Sequence, residues 1–467
     1  MLNKIKTRFT TRFATHVLAG GLAAAQFLAP SSAALAQQRS LPIVRDAEIE
    51  TLVRDYSQPI LRAAGLSKSG IDIVLVNDRS FNAFVVGRRM FINTGALMTA
   101  ETPNEIIGVI AHEAGHIAGG HQERLRQQLA RAQTMAIVAG LLGMGAAIGG
   151  ALSDSGGLAG GGAGLAMGGA EMARRSLLSY QRTEETTADR SALHYLDATG
   201  QSAQGMLDTF KRFASSLALS GAQVDPYQIS HPMPRERIAN LTAAAQASPY
   251  FSRKDPSDLQ LRHDMIRAKI AAYTGGTGAA ARIFRSNPRS LPGRYGDAIS
   301  THLYGSPRNA LSKIDGLIRE RPNNPYFHEM RGEILMKANQ PAEAARAYSA
   351  ARKLDRANSP IIQIAYGQAL LATGNRDSVR EAVRQISAAL DRDREIPSAY
   401  RYLAQAHGQL GEIGEAELAT AEGHYYSGQI QDARLFATRS QQKFKPGSPN
   451  WIRAQDIINA KPPRRQN

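Results

Sequence analysis

Four alanines, Ala310, Ala344, Ala382 and Ala416, recur 34, 38 and 34 residues apart in the C-terminal half of this 467-residue chain. A period of that length marks a two-helix unit that cannot bury its apolar face alone and must stack on copies of itself. Each alanine follows Asn or Glu in a helix-starting context, from Asn309-Ala310 to Glu415-Ala416. Gly305, Asn339, Gly374 and Gly411 stand ahead of the helices as turn residues, and Leu317, Ala351 and Ala389 keep the packed face small or apolar. Residues 256–460 therefore read as almost wholly helical. The default role of such an array is to bind a protein segment in its concave groove, not to catalyse a reaction.

The units resemble tetratricopeptide repeats. Gly332, Leu335, Ala344, Tyr348, Ala351 and Leu354-Asp355 match that pattern. Arg356 stands where Pro is usual, and Gly428 with Asp432-Ala433 points to a final half-repeat.

Residues 37–255 are of another kind. Ile71 to Val76 is rich in β-branched residues and reads as a strand, and Phe84-Val85-Val86 with Arg89-Met90-Phe91-Ile92 reads as a strand pair around Gly87. Beyond Pro103 the pattern turns helical. The chain has no cysteine. Thiol nucleophiles, disulfides and thiolate metal sites are excluded, so any metal must be held by His, Asp or Glu.

The N-terminus has the three parts of an export signal. Lys4, Lys6, Arg8 and Arg12 precede an uncharged run from Val17 to Leu28, and Ala34-Leu35-Ala36 offers a cleavage site before Gln37. Residues 1–36 are expected to be a cleaved signal peptide and the protein to be periplasmic. The whole chain carries +16, and loss of the four basic residues of the leader leaves +12. Of this, +8 falls in residues 289–467 and +4 in 37–288. No nucleic-acid motif accompanies the charge, so nucleic acid is not an expected partner; an anionic membrane surface or an acidic partner explains it better.

The chemistry is written at His112-Glu113-Ala114-Gly115-His116. Two histidines at i and i+4 share one helix face, where they can hold one zinc ion, and Glu113 beside them can take a proton from a water in the open position. A third ligand is needed. The metzincin position is Gln122, and His121 falls one residue short of it, so that pattern fails. A carboxylate remains: Glu185 and Glu184 are both candidates, and if Glu185 binds, Asp189 one turn on can orient a ligand histidine from behind.

With these residues in place, the N-terminal half resembles the zinc metalloprotease family that includes HtpX and the CAAX prenyl protease. Asn82-Ala83-Phe84, Ile92-Asn93-Thr94-Gly95, the H-E-x-x-H at 112–116, Glu185 with Ala188-Asp189, and His231-Pro232 with Arg237 match its motifs in order, over most of residues 45–245. A protease followed by tetratricopeptide repeats behind a signal resembles the BepA-like periplasmic group of that family. The resemblance implies an α+β, mainly α fold: a gluzincin-type protease domain at 37–255, a repeat solenoid at 256–457 and a basic tail at 458–467. It implies one Zn2+ per chain held by His112, His116 and Glu185, with Glu113 as base and His231 and Arg237 near the oxyanion. Expected partners are unfolded or misassembled proteins, added as a strand beside residues 84–92, and the outer-membrane assembly machinery, docked on the repeats. His231 is also a candidate fourth ligand that would close the site. The competing reading is a chaperone or scaffold with a normally latent protease site.

Ala132 to Ser153 is uncharged and Gly/Ala-rich, and a second glycine cluster runs to Gly169. Residues 132–170 are expected to form a lid or membrane-surface hairpin, with peripheral membrane contact; a transmembrane pair is the competing possibility.

Overall fold

The structure, a computed structural model, describes residues 41–152, 156–220, 231–232 and 235–460. The expected signal peptide and the basic residues from Lys461 onward lie outside the described residues. The architecture is α+β and mainly α.

Strands β1 (Ile43–Val44), β2 (Asp72–Val76), β3 (Ala83–Val86) and β4 (Arg89–Asn93) form one sheet in the order β1-β2-β4-β3. The strand pair turns at Gly87, whose φ of 62° is left-handed and suits a residue without Cβ. β3 runs antiparallel to β4, while β2 runs parallel to it, Val74 opposite Phe91. β1 was not expected: two residues carry no periodicity to read.

Helix α1 (Ala47–Ala63) starts where the Asp46 carboxylate accepts the Ile49 N–H at 2.9 Å. It buries Leu52, Tyr56 and Ile60 with Met90 and Ile92 of the sheet. After the short α2 (Thr94–Thr99) comes α3 (Pro103–Gly119), which carries the His-Glu-His motif. Proline sits in its first turn, where no N–H is missed, and left-handed Gly120 ends it. Every residue from Pro103 to Gly115 is buried, the polar Asn104, Glu105, His112 and Glu113 included.

Around α3 lie α4 (His121–Leu152), α5 (Gly156–Ala198), α6 (Gln204–Ser220) and α7 (Arg235–Gln246). The uncharged region thus belongs to two long helices, α4 and α5, packed against each other. No helix among the described residues is long and apolar enough to cross a membrane. Gly115 sets how close α5 comes to α3: a Cβ there would stand 2.9 Å from the Ala188 carbonyl oxygen. Glu185 and Asp189 flank that contact on α5.

Helix α8 (Ser257–Thr274) belongs to two cores at once. Ile266 and Ile270 face the sheet and α3, while Met265, Ala271 and Ala272 join Tyr295, Ala298 and Phe327 of the helices that follow. Its buried His263 bridges Tyr56 Oη and the Ala100 carbonyl, each at 3.0 Å. Buried Lys269 pairs with Asp46 at 2.7 Å and Glu48 at 3.3 Å. Arg45 adds an ion pair to Asp393 at 2.6 Å. The two halves are joined by a shared helix and buried charge, not by a free linker.

From Leu291 onward helices follow one another to Asn459, each packed against the next. Ala310, Ala344 and Ala382 are fully buried between helices. Ala416 is not; Gly414 takes the close position there, against the Phe444 ring. Asn339, Gly374 and Gly411 adopt the left-handed turn, with φ of 56°, 70° and 82°. Gly305 is extended instead, at φ −115°.

Candidate metal centre

His112 and His116 emerge from one face of α3, and both direct Nε2 to the same point, 3.0 Å apart. Glu185 arrives from α5, with its carboxylate oxygens 3.4 Å from each of these nitrogens. A fourth donor comes from the chain leading into α7: His231 Nδ1 lies 3.3 Å from His112 Nε2 and 3.1 Å from Glu185 Oε1. The four donor atoms all lie within 4.8 Å of one another.

Whether a metal fits can be tested on these distances. Donors about 2.0–2.1 Å from a tetrahedral ion stand about 3.3 Å from each other; the neighbouring donors here are 3.0 to 3.4 Å apart, within an overall span of 4.8 Å. Charge points the same way. Burial and the neighbouring His112 push the His116 imidazole down to about 2, so it presents a lone pair rather than a proton. Burial acts to lower His112 too, but Asp189 and Glu185 beside it prevail and hold it up at about 9. His112 and His116, aimed at one point, cannot both be protonated, and a bound cation satisfies the two together. The residues present fit a metal.

Each ring has a close neighbour behind it. His112 Nδ1 is 3.0 Å from Asp189 Oδ1. His231 Nε2 is 3.4 Å from Glu113 Oε1. His116 Nδ1 is 2.8 Å from Nδ1 of His121, a contact between rings that sequence reasoning missed. Its only signal in the sequence was a histidine five residues beyond the motif.

Arg237, at the start of α7, is buried. Its Nη1 lies 2.9 Å from Glu185 Oε2, and the same nitrogen donates to the Pro232 carbonyl. Its remaining nitrogens grip Asp189. The guanidinium rests over the Phe210 ring, 5.4 Å from its centre. Asp189 is lowered below its ordinary range: burial acts to raise it, but Arg237 and His112 outweigh burial. Burial raises Glu113, which is fully enclosed.

The structure therefore gathers all seven residues singled out from the sequence: His112, Glu113, His116, Glu185, Asp189, His231 and Arg237. A profile of peptidase family M48 matches residues 44–245, the span that contains them. This part of the chain belongs to peptidase family M48. It is a metalloprotease domain, and the cluster of His112, His116, Glu185 and His231 is a place where an M48 metal fits. Tetratricopeptide-repeat profiles match residues 305–359, 329–378 and 366–429.

Curated proteins similar to this chain include the following two. A putative beta-barrel assembly-enhancing protease of Vibrio cholerae is 23% identical over 209 residues, 44% of this chain and 41% of that protein. The beta-barrel assembly-enhancing protease of Yersinia pestis is 21% identical over 414 residues, 88% of this chain and 82% of that protein. The match thus spans less than half of the first relative and most of the second.

Proposed function

We propose that this chain is a zinc-dependent endopeptidase of the bacterial periplasm that degrades misfolded or stalled envelope proteins. The observation that carries the reading is the convergence of His112, His116 and Glu185 beside buried Glu113. A zinc ion held by those three would act as Lewis acid toward the scissile carbonyl and make a bound water acidic. Glu113 takes the proton of the attacking water and returns it to the leaving amine. Its raised pKa helps the return step, because a carboxyl that holds a proton in its buried site can deliver it. Asp189 fixes the ring of His112, and Arg237 keeps Glu185 and Asp189 charged and in place. His231 swung off the cluster, with Arg237 behind it, remains our assignment for the developing oxyanion.

Substrate backbone is expected along β3, the edge strand. Its outward groups, the Val85 carbonyl and the Gly87 N–H, are taken by the Gln122 side chain, the latter at 2.8 Å. Those are the groups a substrate strand would use.

The relatives' names support a further step, that the repeat half docks on outer-membrane assembly machinery. Its groove of about 620 Å³ is lined by Leu403, His407, Tyr426 and Arg453, which offer apolar, aromatic and charged contacts to a protein segment. The α4–α5 hairpin is the assigned peripheral membrane contact.

A second reading is favoured by His231. Its Nδ1 lies beside the other three donors and would serve as a fourth ligand to a bound zinc, while its Nε2 faces Glu113. With donor and base both engaged, the site is latent and the chain acts as a chaperone or scaffold until His231 moves. Cleavage of casein by wild type and Glu113→Gln tests the protease reading. Loss of cleavage in the variant supports it, and a biological activity wholly retained in the variant favours the scaffold.

A further inference from the structure

The chemistry above uses neither His121 nor Glu184 nor Arg124, yet these three form a chain that ends on a metal donor. His121 is 4% exposed. Its ring meets that of His116 edge-on, centres 4.8 Å apart and planes at 85°, with the two Nδ1 atoms 2.8 Å apart. On its far side His121 Nε2 lies 2.7 Å from Glu184 Oε2, and Arg124 Nη2 donates to that same oxygen at 2.7 Å. The chain is built for this ring. Left-handed Gly120 turns the backbone from α3 into α4, and a Cβ on Gly119 would overlap the His121 imidazole.

Hydrogen-bond logic fixes the proton between the two rings. A His116 that offers the Nε2 lone pair carries its proton on Nδ1. The atom facing that proton is Nδ1 of His121, which must then be bare. The His121 proton is therefore on Nε2, which stands 2.7 Å from Glu184 Oε2 as a charge contact outside hydrogen-bond alignment, and Arg124 donates to that same oxygen. His112 needs no such intermediary, because Asp189 reaches its Nδ1 directly.

We propose that His121 and Glu184 are positioning residues of the metal centre, a carboxylate–imidazole relay that sets the tautomer and ring plane of His116. The inference rests on the reading of His116 as a metal donor. Outer partners of ligand histidines typically change metal affinity by about 10–100-fold.

The test is zinc affinity of the full chain by competition with a chelator, with the melting temperature of the metal-free protein measured alongside. His121→Phe fills the space without a nitrogen and is expected to lose affinity by about 10–100-fold with the metal-free melting temperature unchanged. His121→Asn places an amide oxygen where Nδ1 stood and is expected to recover most of that affinity. Gly119→Ala, which displaces the ring without removing it, is expected to behave like His121→Phe. Unchanged affinity in His121→Phe overturns the relay, and so does a His121→Asn no better than His121→Phe. A His116→Ala that binds zinc as tightly as wild type overturns the underlying site instead.

Discussion

Arg237 grips Asp189 with two nitrogens: Nε stands 2.6 Å from Oδ2 and Nη2 2.8 Å from Oδ1. Asp189 in turn backs His112, so one buried guanidinium supports the motif helix, and through Nη1 it supports Glu185 as well.

Removing that guanidinium takes the one permanent cation away from two buried carboxylates. Arg237→Met is expected to cost about 3–5 kcal/mol of stability, the usual consequence of breaking a buried pair from one side. Arg237→Lys, which cannot reproduce the two-nitrogen grip, should recover only part of it. Urea unfolding of the metal-free protein checks both.

Gly115 and Gly108 are both points of close approach on α3, but only Gly115 touches the helix that carries Glu185. A Cβ at Gly115 would press on the Ala188 carbonyl at 2.9 Å, and one at Gly108 on Met206 Cβ at 2.6 Å. Overpacking of either should cost about 1–3 kcal/mol. Gly115→Ala should also weaken zinc binding, since it moves Glu185 off the histidines, whereas Gly108→Ala should not. Chelator competition on the two variants separates them.

His231 Nδ1 stands 3.3 Å from His112 Nε2, and its Nε2 stands 3.4 Å from Glu113 Oε1. His231→Ala is expected to raise casein cleavage several-fold if the removal of that fourth donor outweighs the loss of His231 at the oxyanion. Unchanged or lower cleavage would remove the latency reading and leave His231 a catalytic role only.

His263 gives the junction between the halves a pH dependence. Burial lowers its pKa to about 4, against 6.5 when exposed. Its folded value is the depressed one, so the unfolded chain takes up the proton first. The contribution is fully present above pH 6.5 and is lost as pH falls through that window toward 4, amounting to about 3 kcal/mol. Urea unfolding at pH 7 and pH 4 should show wild type losing that much more stability than His263→Gln, which has no proton to gain.

The motif residues were legible because a helix puts i and i+4 on one face, a rule that needs no tertiary information. Glu185 was one of two carboxylates until the resemblance singled it out; in space, the difference is that Glu185 lies on the Ala188–Gly115 side of α5, while Glu184 turns to His121. His231 and Arg237 lie 46 and 48 residues beyond Glu185 and Asp189 in sequence, so no spacing rule reaches them. The sequence reading put Arg237 at the oxyanion; in the structure its nitrogens face Asp189, Glu185 and the Pro232 carbonyl. The repeat period announced the solenoid, but it could not show that α8 belongs to both cores. That depends on the two faces of one helix meeting different partners.

The proposed mechanism stands on one zinc ion held by His112, His116 and Glu185. Metal analysis of the purified full-length protein tests it most directly. The account predicts one zinc per chain in wild type and its loss in His116→Ala and Glu185→Ala. A folded wild type without stoichiometric zinc, or variants that retain it, would contradict the account.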